Sequence, residues 1–381
     1  MGPLEKLHLL TQAAAYEPAE DVSLTGTPLP DAPTPEELTG CIHYAATPKG
    51  RIPLLKTLVS SACERDCAYC PFRAGRDFRR ATFTPDDLAA LFLQLYRADL
   101  VQGIFLSSGL VGGGPRTQDR LLETALLLRK RYGFRGYLHL KIMPGAERDQ
   151  IAAAMTLADR VSLNLEGPNA RRLSFLAPHK NFGEDLVQRL QWIHELREAQ
   201  GGRGPSTTTQ FVVGAAGESD AELLLTTEYL YRHQRLARAY FSSFHPVSDT
   251  PLETLPPSPP RRELRLYQAS FLLRDYGFNA EELPFDAHGN LPLAEDPKVA
   301  WAEQHLSDSP VELNRASREQ LLRIPGLGPK SVEQILEARR KGTLRDLSQL
   351  RQLGLPVQRV APYILLDGHP PARQLQLWAM G

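Results

Sequence analysis

Cys63-Glu64-Arg65-Asp66-Cys67-Ala68-Tyr69-Cys70, followed at once by Pro71-Phe72-Arg73, holds three of the four cysteines in the chain. Thiolates hold iron–sulfur cubanes, and a [4Fe–4S] cluster normally takes four of them. Three ligands packed this closely leave one iron open to a substrate or cofactor. A structural zinc site would need a fourth ligand at ordinary spacing. His43 and Cys41 lie 20 or more residues upstream and give no such spacing. A disulfide needs an oxidising compartment, and Met1–Leu10 is too short and too charged for a secretory signal. Cys41, beside Ile42, reads as a small buried hydrophobe.

The elements that must position these cysteines alternate between strand and helix. Leu54–Ser60 is a short apolar, β-rich run leading into the cysteine loop, and Thr84-Pro85-Asp86-Asp87 supplies an N-cap, an N1 proline and first-turn acids for a helix over Pro85–Arg97. Strands are predicted at Gly103–Ser107, Gly136–Ile142, Arg160–Glu166, Thr207–Val213 and Arg238–Phe244. Helices are predicted at Gln118–Tyr132, Ala146–Ala158, Glu184–Gln200, Ser219–Arg235 and Arg261–Tyr276. Six strand-then-helix units imply an α/β fold whose parallel sheet curls into an open, partial (β/α)6 barrel. Chemistry in such barrels gathers at the carboxyl ends of the strands, where the cysteine loop falls.

Several of those strands carry polar side chains at alternate positions. Ser162, Asn164 and Glu166 share one face of the fourth, and His139 and Lys141 one face of the third. Burying such groups unpaired is costly, and a parallel barrel offers no solvated strand face. They therefore suit a ligand's hydroxyls and anionic groups. Arg171, Arg172, His179 and Lys180 add cations after the fourth strand.

Pro325-Gly326-Leu327-Gly328 joins two predicted helices, Arg318–Arg323 and Lys330–Arg340. This pattern is a helix-hairpin-helix, whose tight turn leaves N–H groups at a helix N-terminus ready for an anion. Such hairpins grip a DNA phosphate without reading its base. Gly326, Leu327, Gly328, Lys330, Ser331, Arg340 and Lys341 are its candidate DNA contacts. From Val311 to Val360 there are ten Lys or Arg against five Asp or Glu, a local excess of positive charge in a chain whose formal net charge is zero. A second, degenerate hairpin over Leu347–Ile364 lacks the second glycine. The alternative use of such hairpins is contact with protein.

The chain thus divides into an acidic, proline-rich arm (1–45), the barrel (46–290), a linker (291–310) and an all-α hairpin domain (311–381). From His8 to Ile42 there is no Lys or Arg, and the prolines there predict an extended arm. No apolar run approaches a membrane-spanning length. The expectation is a soluble, cytoplasmic protein with no membrane partner.

Cys-x3-Cys-x2-Cys with an aromatic, Tyr69, before the last cysteine resembles the loop of the radical S-adenosylmethionine (SAM) enzymes. The resemblance implies that Cys63, Cys67 and Cys70 hold a [4Fe–4S] cluster whose open iron chelates SAM. One electron then splits the sulfonium, giving a 5′-deoxyadenosyl radical that removes a hydrogen atom. It also implies that Ser107-Ser108-Gly109 pairs with the SAM amino group, though the family's glutamate there is absent. Asn164 and Glu166 would meet the ribose, and the segment holding Gly214 and Gly217 would support the adenine. Phe105–Gly109, Tyr137–Gly145, Arg160–Glu166 and Leu176–Lys180 further resemble one bacterial group, the DNA modification/repair radical SAM proteins with a C-terminal helix-hairpin-helix. That resemblance implies DNA as substrate, a reducing partner such as flavodoxin or ferredoxin, and a uracil-DNA-glycosylase-like partner protein. Two rivals stand beside it: a radical SAM enzyme for RNA or a small metabolite, and an iron–sulfur DNA-binding protein without catalysis. No further cysteine motif provides an auxiliary cluster.

Overall fold

The computed structural model describes residues 2–14, 40–47 and 50–371. The chain divides into two compact units, one of Met1–Glu218 with Tyr229–Leu264 and the other of Ser219–Glu228 with Arg265–Gly381.

The first unit is built on a seven-stranded sheet in the order β1 to β7: β1 (Ile42–Thr47), β2 (Gly50–Leu58), β3 (Gly103–Ser107), β4 (Tyr137–Lys141), β5 (Arg160–Ser162), β6 (Ser206–Val213) and β7 (Arg238–Ser243). β1 runs antiparallel to β2, and every later pairing is parallel. Parallel neighbours need crossovers, and here helices supply them: α2 (Pro85–Arg97), α3 (Gly113–Leu126), α4 (Arg148–Leu157), α5 (Ala170–Leu176), α6 (Gln188–Ala199) and α7 (Asp220–His233), the last with Asp220–Glu228 counted in the second unit. The sheet curls into a half-barrel. α2 begins as its sequence predicts, with the Thr84 hydroxyl accepting from the Asp87 N–H at 3.2 Å and Leu88, Leu91, Phe92 and Leu95 buried.

Three local expectations change. His8 is not in an extended arm but inside a helix, α1 (Pro3–Ala14), which buries Leu7 and Leu10 and packs on β2. Without a proline between Leu4 and Ala14, nothing interrupts its hydrogen bonds. The rest of the predicted arm lies outside the described residues as far as Gly40. Next, the fourth strand of the barrel ends at Ser162, and the chain meets β6 again only at a bridge between Glu166 and Phe211, where Glu166 takes a left-handed φ of 63°. Finally, the second and fourth predicted helices each contain a wide turn, at Leu127–Arg131 and Phe182–Val187.

The second unit contains α9 (Pro297–His305), β8 (Val311–Glu312), α10 (Arg318–Arg323), α11 (Pro329–Lys341), α12 (Leu347–Gln352), α13 (Val357–Val360) and β9 (Ile364–Leu365). Residues 297–305, inside the span read as a linker, are thus helical. A long helix, α8 (Pro260–Asp275), runs through the boundary between the units. β8 and β9 pair in parallel and tie the two ends of the helical segment together. The turn from α10 to α11 passes through Gly326 at φ 87°, and the turn from α12 to α13 through Gly354 at φ 74°, a region that favours glycine. A side chain at Gly326 would meet Pro356, Arg359 and Val360 at 3.1–3.3 Å, so the first turn packs against the second helical pair. No helix among the described residues is long and apolar enough to cross a membrane.

Candidate active site

β2 delivers the cysteine loop to the carboxyl end of the sheet, and backbone bonds fix its course. The Val59 N–H donates to the Ser107 carbonyl and the Gly109 N–H to the Ser60 carbonyl, both at 2.7 Å. Further along, Glu64 N–H reaches Leu110 O at 2.8 Å and Ala68 N–H reaches Leu176 O at 2.7 Å. The Glu64 carboxylate accepts from the N–H groups of Gly112 and Gly113 at 2.9 and 3.0 Å, which open α3. An acidic group there also meets the positive end of the helix dipole. Gly109 is required by this crossing, since a Cβ would run into the carbonyl of Ala62 and lie 3.2 Å from Cys63 Cβ. Gly109→Ala is therefore expected to displace Cys63 and cut the iron retained after reconstitution several-fold. Iron and sulfide assays measure this directly, and full iron content in a folded G109A protein would contradict it.

Cys63, Cys67 and Cys70 are free thiols lining one cavity of about 320 Å³. Backbone N–H groups of Arg65 and Phe72 point at Cys63 Sγ (3.4 Å) and Cys70 Sγ (3.5 Å), the kind of bond that tunes a cluster's potential. Burial pushes the Cys67 and Cys70 thiols up, so loading iron there releases protons. No three His, Cys, Asp or Glu among the described residues gather around a point where one ion would sit. A cubane presents a separate iron to each thiolate, so its ligands stand further apart than those of a single ion. Three soft sulfur donors on one wall of a roomy cavity fit a cubane.

The segment after the cysteines is organised by Arg80, whose guanidinium donates to the carbonyls of Ser61, Phe72, Arg73 and Arg76 at 3.0–3.2 Å. Its guanidinium carbon lies 4.2 Å from the centroid of the Phe78 ring. Arg80 was not signalled by any spacing, because its partners are carbonyls and carbonyls are everywhere.

Tyr69, Ser107, Ser108, Gly109, Lys141, Asn164 and Glu166 line the same cavity. A polar chain crosses its floor: Lys141 Nζ donates to Asn164 Oδ1 at 2.5 Å, and Asn164 Nδ2 donates to Gln210 Oε1 at 3.2 Å. Beside it, Lys180 Nζ stands 3.3 Å from Glu166 Oε1, both side chains less than a tenth exposed. Burial works against the Lys180 charge, but the neighbouring Cys67 and Glu166 outweigh it and hold the ammonium on. Burial, reinforced by the Glu166 charge, pushes the Tyr69 phenol well above its ordinary range. The backbone rejoins the sheet at Glu166, whose N–H donates to Gln210 O at 2.9 Å and whose carbonyl accepts from Val212 N–H at 2.8 Å.

His139 and Ser162 pair with each other at 2.8 Å, buried and off the cavity wall. Gly214 (φ 96°) and Gly217 (φ 64°) are also off that wall. They shape a turn around the buried Glu218 carboxylate, which accepts from Gly214 N–H at 2.5 Å and Ala216 N–H at 3.1 Å. Val212 carries that segment's contribution to the cavity. Arg171, Arg172 and His179 are not on the wall either, whereas Lys180 is. Gln210 escaped the reading, although its alternation with Thr208 along β6 is the same signal that marked Ser162 and Asn164.

The hairpin residues belong to the second unit. Leu327 is buried, Gly328 precedes α11 as its N-cap, Ser331 is half-buried, and Lys330, Arg340 and Lys341 are exposed.

Residues 57–230 match the family model described as Radical SAM superfamily. The chain carries a radical SAM domain. No curated protein matches the chain. Among solved structures it is similar to methylornithine synthase (PylB), with 14% identity over 58% of this chain and 61% of that one and a TM-score of 0.48. The FeFe-hydrogenase maturase HydG from Carboxydothermus hydrogenoformans shares 14% identity over 58% of this chain and 51% of that one, at a TM-score of 0.47. A radical SAM methyltransferase from Sphaerobacter thermophilus shares 15% identity over 61% of this chain and 65% of that one, at 0.44. This chain spans less than two-thirds of the length of these proteins, and likeness at this level says nothing of its substrate. The cofactors of the radical SAM domain are a [4Fe–4S] cluster and SAM. Cys63, Cys67 and Cys70 would hold the cluster, and Ser107, Ser108, Asn164, Glu166 and Gln210 are polar residues lining the same cavity, where they would meet SAM.

Proposed function

We propose that this radical SAM enzyme acts on DNA, with the second unit docking a phosphate backbone and the barrel cavity receiving one nucleotide. When bound, the cluster and SAM supply one electron and a 5′-deoxyadenosyl radical able to remove a hydrogen atom. The residues of the cavity position that chemistry: apolar Leu58, Ile142, Val212 and Phe244 exclude water, and the Lys141, Asn164 and Gln210 chain keeps its polar atoms partnered until a ligand takes them over. Phe72, Ser242, Ser243 and His245 form the part of the wall left for substrate.

The observation that carries the DNA reading is the doubled hairpin. Two short helical pairs, each turning on a left-handed glycine, pack together through Gly326, as a tandem helix-hairpin-helix would. At the start of α11 the N–H groups of Lys330 and Ser331 have no partner among the described residues, and the exposed Lys330 lies beside them. Such a turn suits a phosphate. A base within a duplex is out of reach of a cavity this size, so the substrate is single-stranded or its nucleotide is flipped out. Repair of a lesion and installation of a modification both fit, as does a flavodoxin- or ferredoxin-type electron donor.

The test is anaerobic. Reconstituted protein with SAM and a strong reductant is expected to form 5′-deoxyadenosine faster with one class of DNA, damaged or undamaged, and to carry deuterium from that DNA into the product. Turnover indifferent to every DNA but stimulated by RNA or a small metabolite would overturn the DNA reading and leave the cofactor chemistry standing.

A further inference from the structure

Lys298 is buried, 7% exposed, although lysine is among the residues least often found inside a protein. It sits in the first turn of α9, and its ammonium donates to the Leu327 carbonyl at 2.6 Å. The same ammonium lies 4.5 Å from the centroid of the Tyr276 ring, a cation–π contact that strengthens as water is removed. Leu327 stands between Gly326 and Gly328, at the middle of the turn from α10 to α11. Across a trans peptide the carbonyl and the next N–H point in opposite directions, and no cis peptide bond occurs among the described residues. A Leu327 carbonyl held from inside therefore aims the Gly328 N–H away from Lys298. That N–H has no partner among the described residues.

We infer that Lys298 is the positioning residue of the hairpin's phosphate site, holding the Leu327 carbonyl inward so that the Gly328 N–H faces the anion, and placing a buried positive charge behind it. This rests on the DNA reading above and deepens it. The charged and titratable groups facing Lys298 are Asp296 at the start of α9, Arg323 from α10 and Arg359 from α13, with Tyr276 beside it. Burial, helped by Arg359 and Arg323 and opposed by Asp296, pulls the Lys298 ammonium down to about 7. An anion docked on the turn favours the charged form. Binding therefore takes up a proton, and affinity falls as pH rises through neutrality.

Full-length, cluster-loaded protein and a fluorescent DNA oligonucleotide, at constant ionic strength, give the test by anisotropy. Wild-type affinity is expected to fall about three- to tenfold between about pH 6 and about pH 8.5, one linked proton allowing at most about tenfold per unit. Lys298→Met should bind about tenfold more weakly with a flatter profile. Lys298→Arg, which stays charged throughout, should recover affinity and lose the slope. Hydrogen exchange at 327–331 should be faster in K298M, independently of any DNA. Wild-type affinity, slope and exchange in K298M would overturn the inference while leaving the DNA reading intact. A wild-type protein that binds no DNA would overturn the DNA reading, and exchange at 327–331 would then decide by itself whether Lys298 holds the turn.

Discussion

Cys67→Ala protein is expected to fold, to retain little iron after anaerobic reconstitution, and to form no 5′-deoxyadenosine above a cluster-free control. Cys67 is a small buried side chain, 7% exposed, and its truncation costs about 1 kcal/mol, the usual effect of a modest core change. The chemical loss is far larger. Three thiols serve the cavity, and a cubane left with two of its protein thiolates is held too weakly to persist. The thermal transition, the iron and sulfide content and the yield of cleaved SAM separate the two effects. A C67A protein that cleaves SAM at the wild-type rate would remove the cysteine triplet from the chemistry altogether.

The second large effect concerns stability. Lys180→Met strands the Glu166 carboxylate in a site where its side chain is 8% exposed and its partner ammonium stood 3.3 Å away. Removing one member of a buried pair costs about 3–5 kcal/mol, because the remaining charge has neither water nor counter-ion. In a unit of this size that lowers the melting temperature by about 10 °C. Glu166→Gln added to Lys180→Met should restore part of the loss, since an amide needs no counter-charge. Equal melting temperatures for wild type and K180M, both cluster-free, would show the pair to be solvated and the cavity wetter than its walls suggest. The cluster-free comparison matters because Lys180 also faces Cys67 and Cys70.

The half-barrel was legible because its signals are local. Periodicity separates strand from helix, and Thr84-Pro85 marks where α2 begins with nothing else known. Gly103–Ser107 is a strand with the predicted ends. The cavity was legible only in part, because alternation along a strand tells which face a side chain takes and not how deep it lies. Residues two apart on a strand are about 7 Å apart along it. Lys141 and Asn164 line the cavity while His139 and Ser162, two residues earlier on each segment, are off its wall, though all four share the same pattern. Arg171 and Arg172 read only as cations after the fourth strand. They open α5 instead, where the Asn169 side chain caps the Arg172 N–H at 3.0 Å. The left-handed turn at Glu166 had no signal, since a glutamate is an unusual residue to take it. What the residues alone could not supply was tertiary: the Lys180 and Glu166 pair, the Arg80 hub and the Lys298 hydrogen bond each join segments through space rather than through a repeat.

Among the described residues β7 pairs only with β6, and β1 only with β2, so the curled sheet ends in two separate edges and never closes into a ring. A closed ring would admit its target only through the mouth and would favour small molecules or free ends. An unclosed wall permits loading from the flank. A polymer can slide in sideways, have one internal residue processed and leave without being threaded or cut. On the DNA reading proposed above, such an open edge would let an internal nucleotide be served as readily as a terminal one.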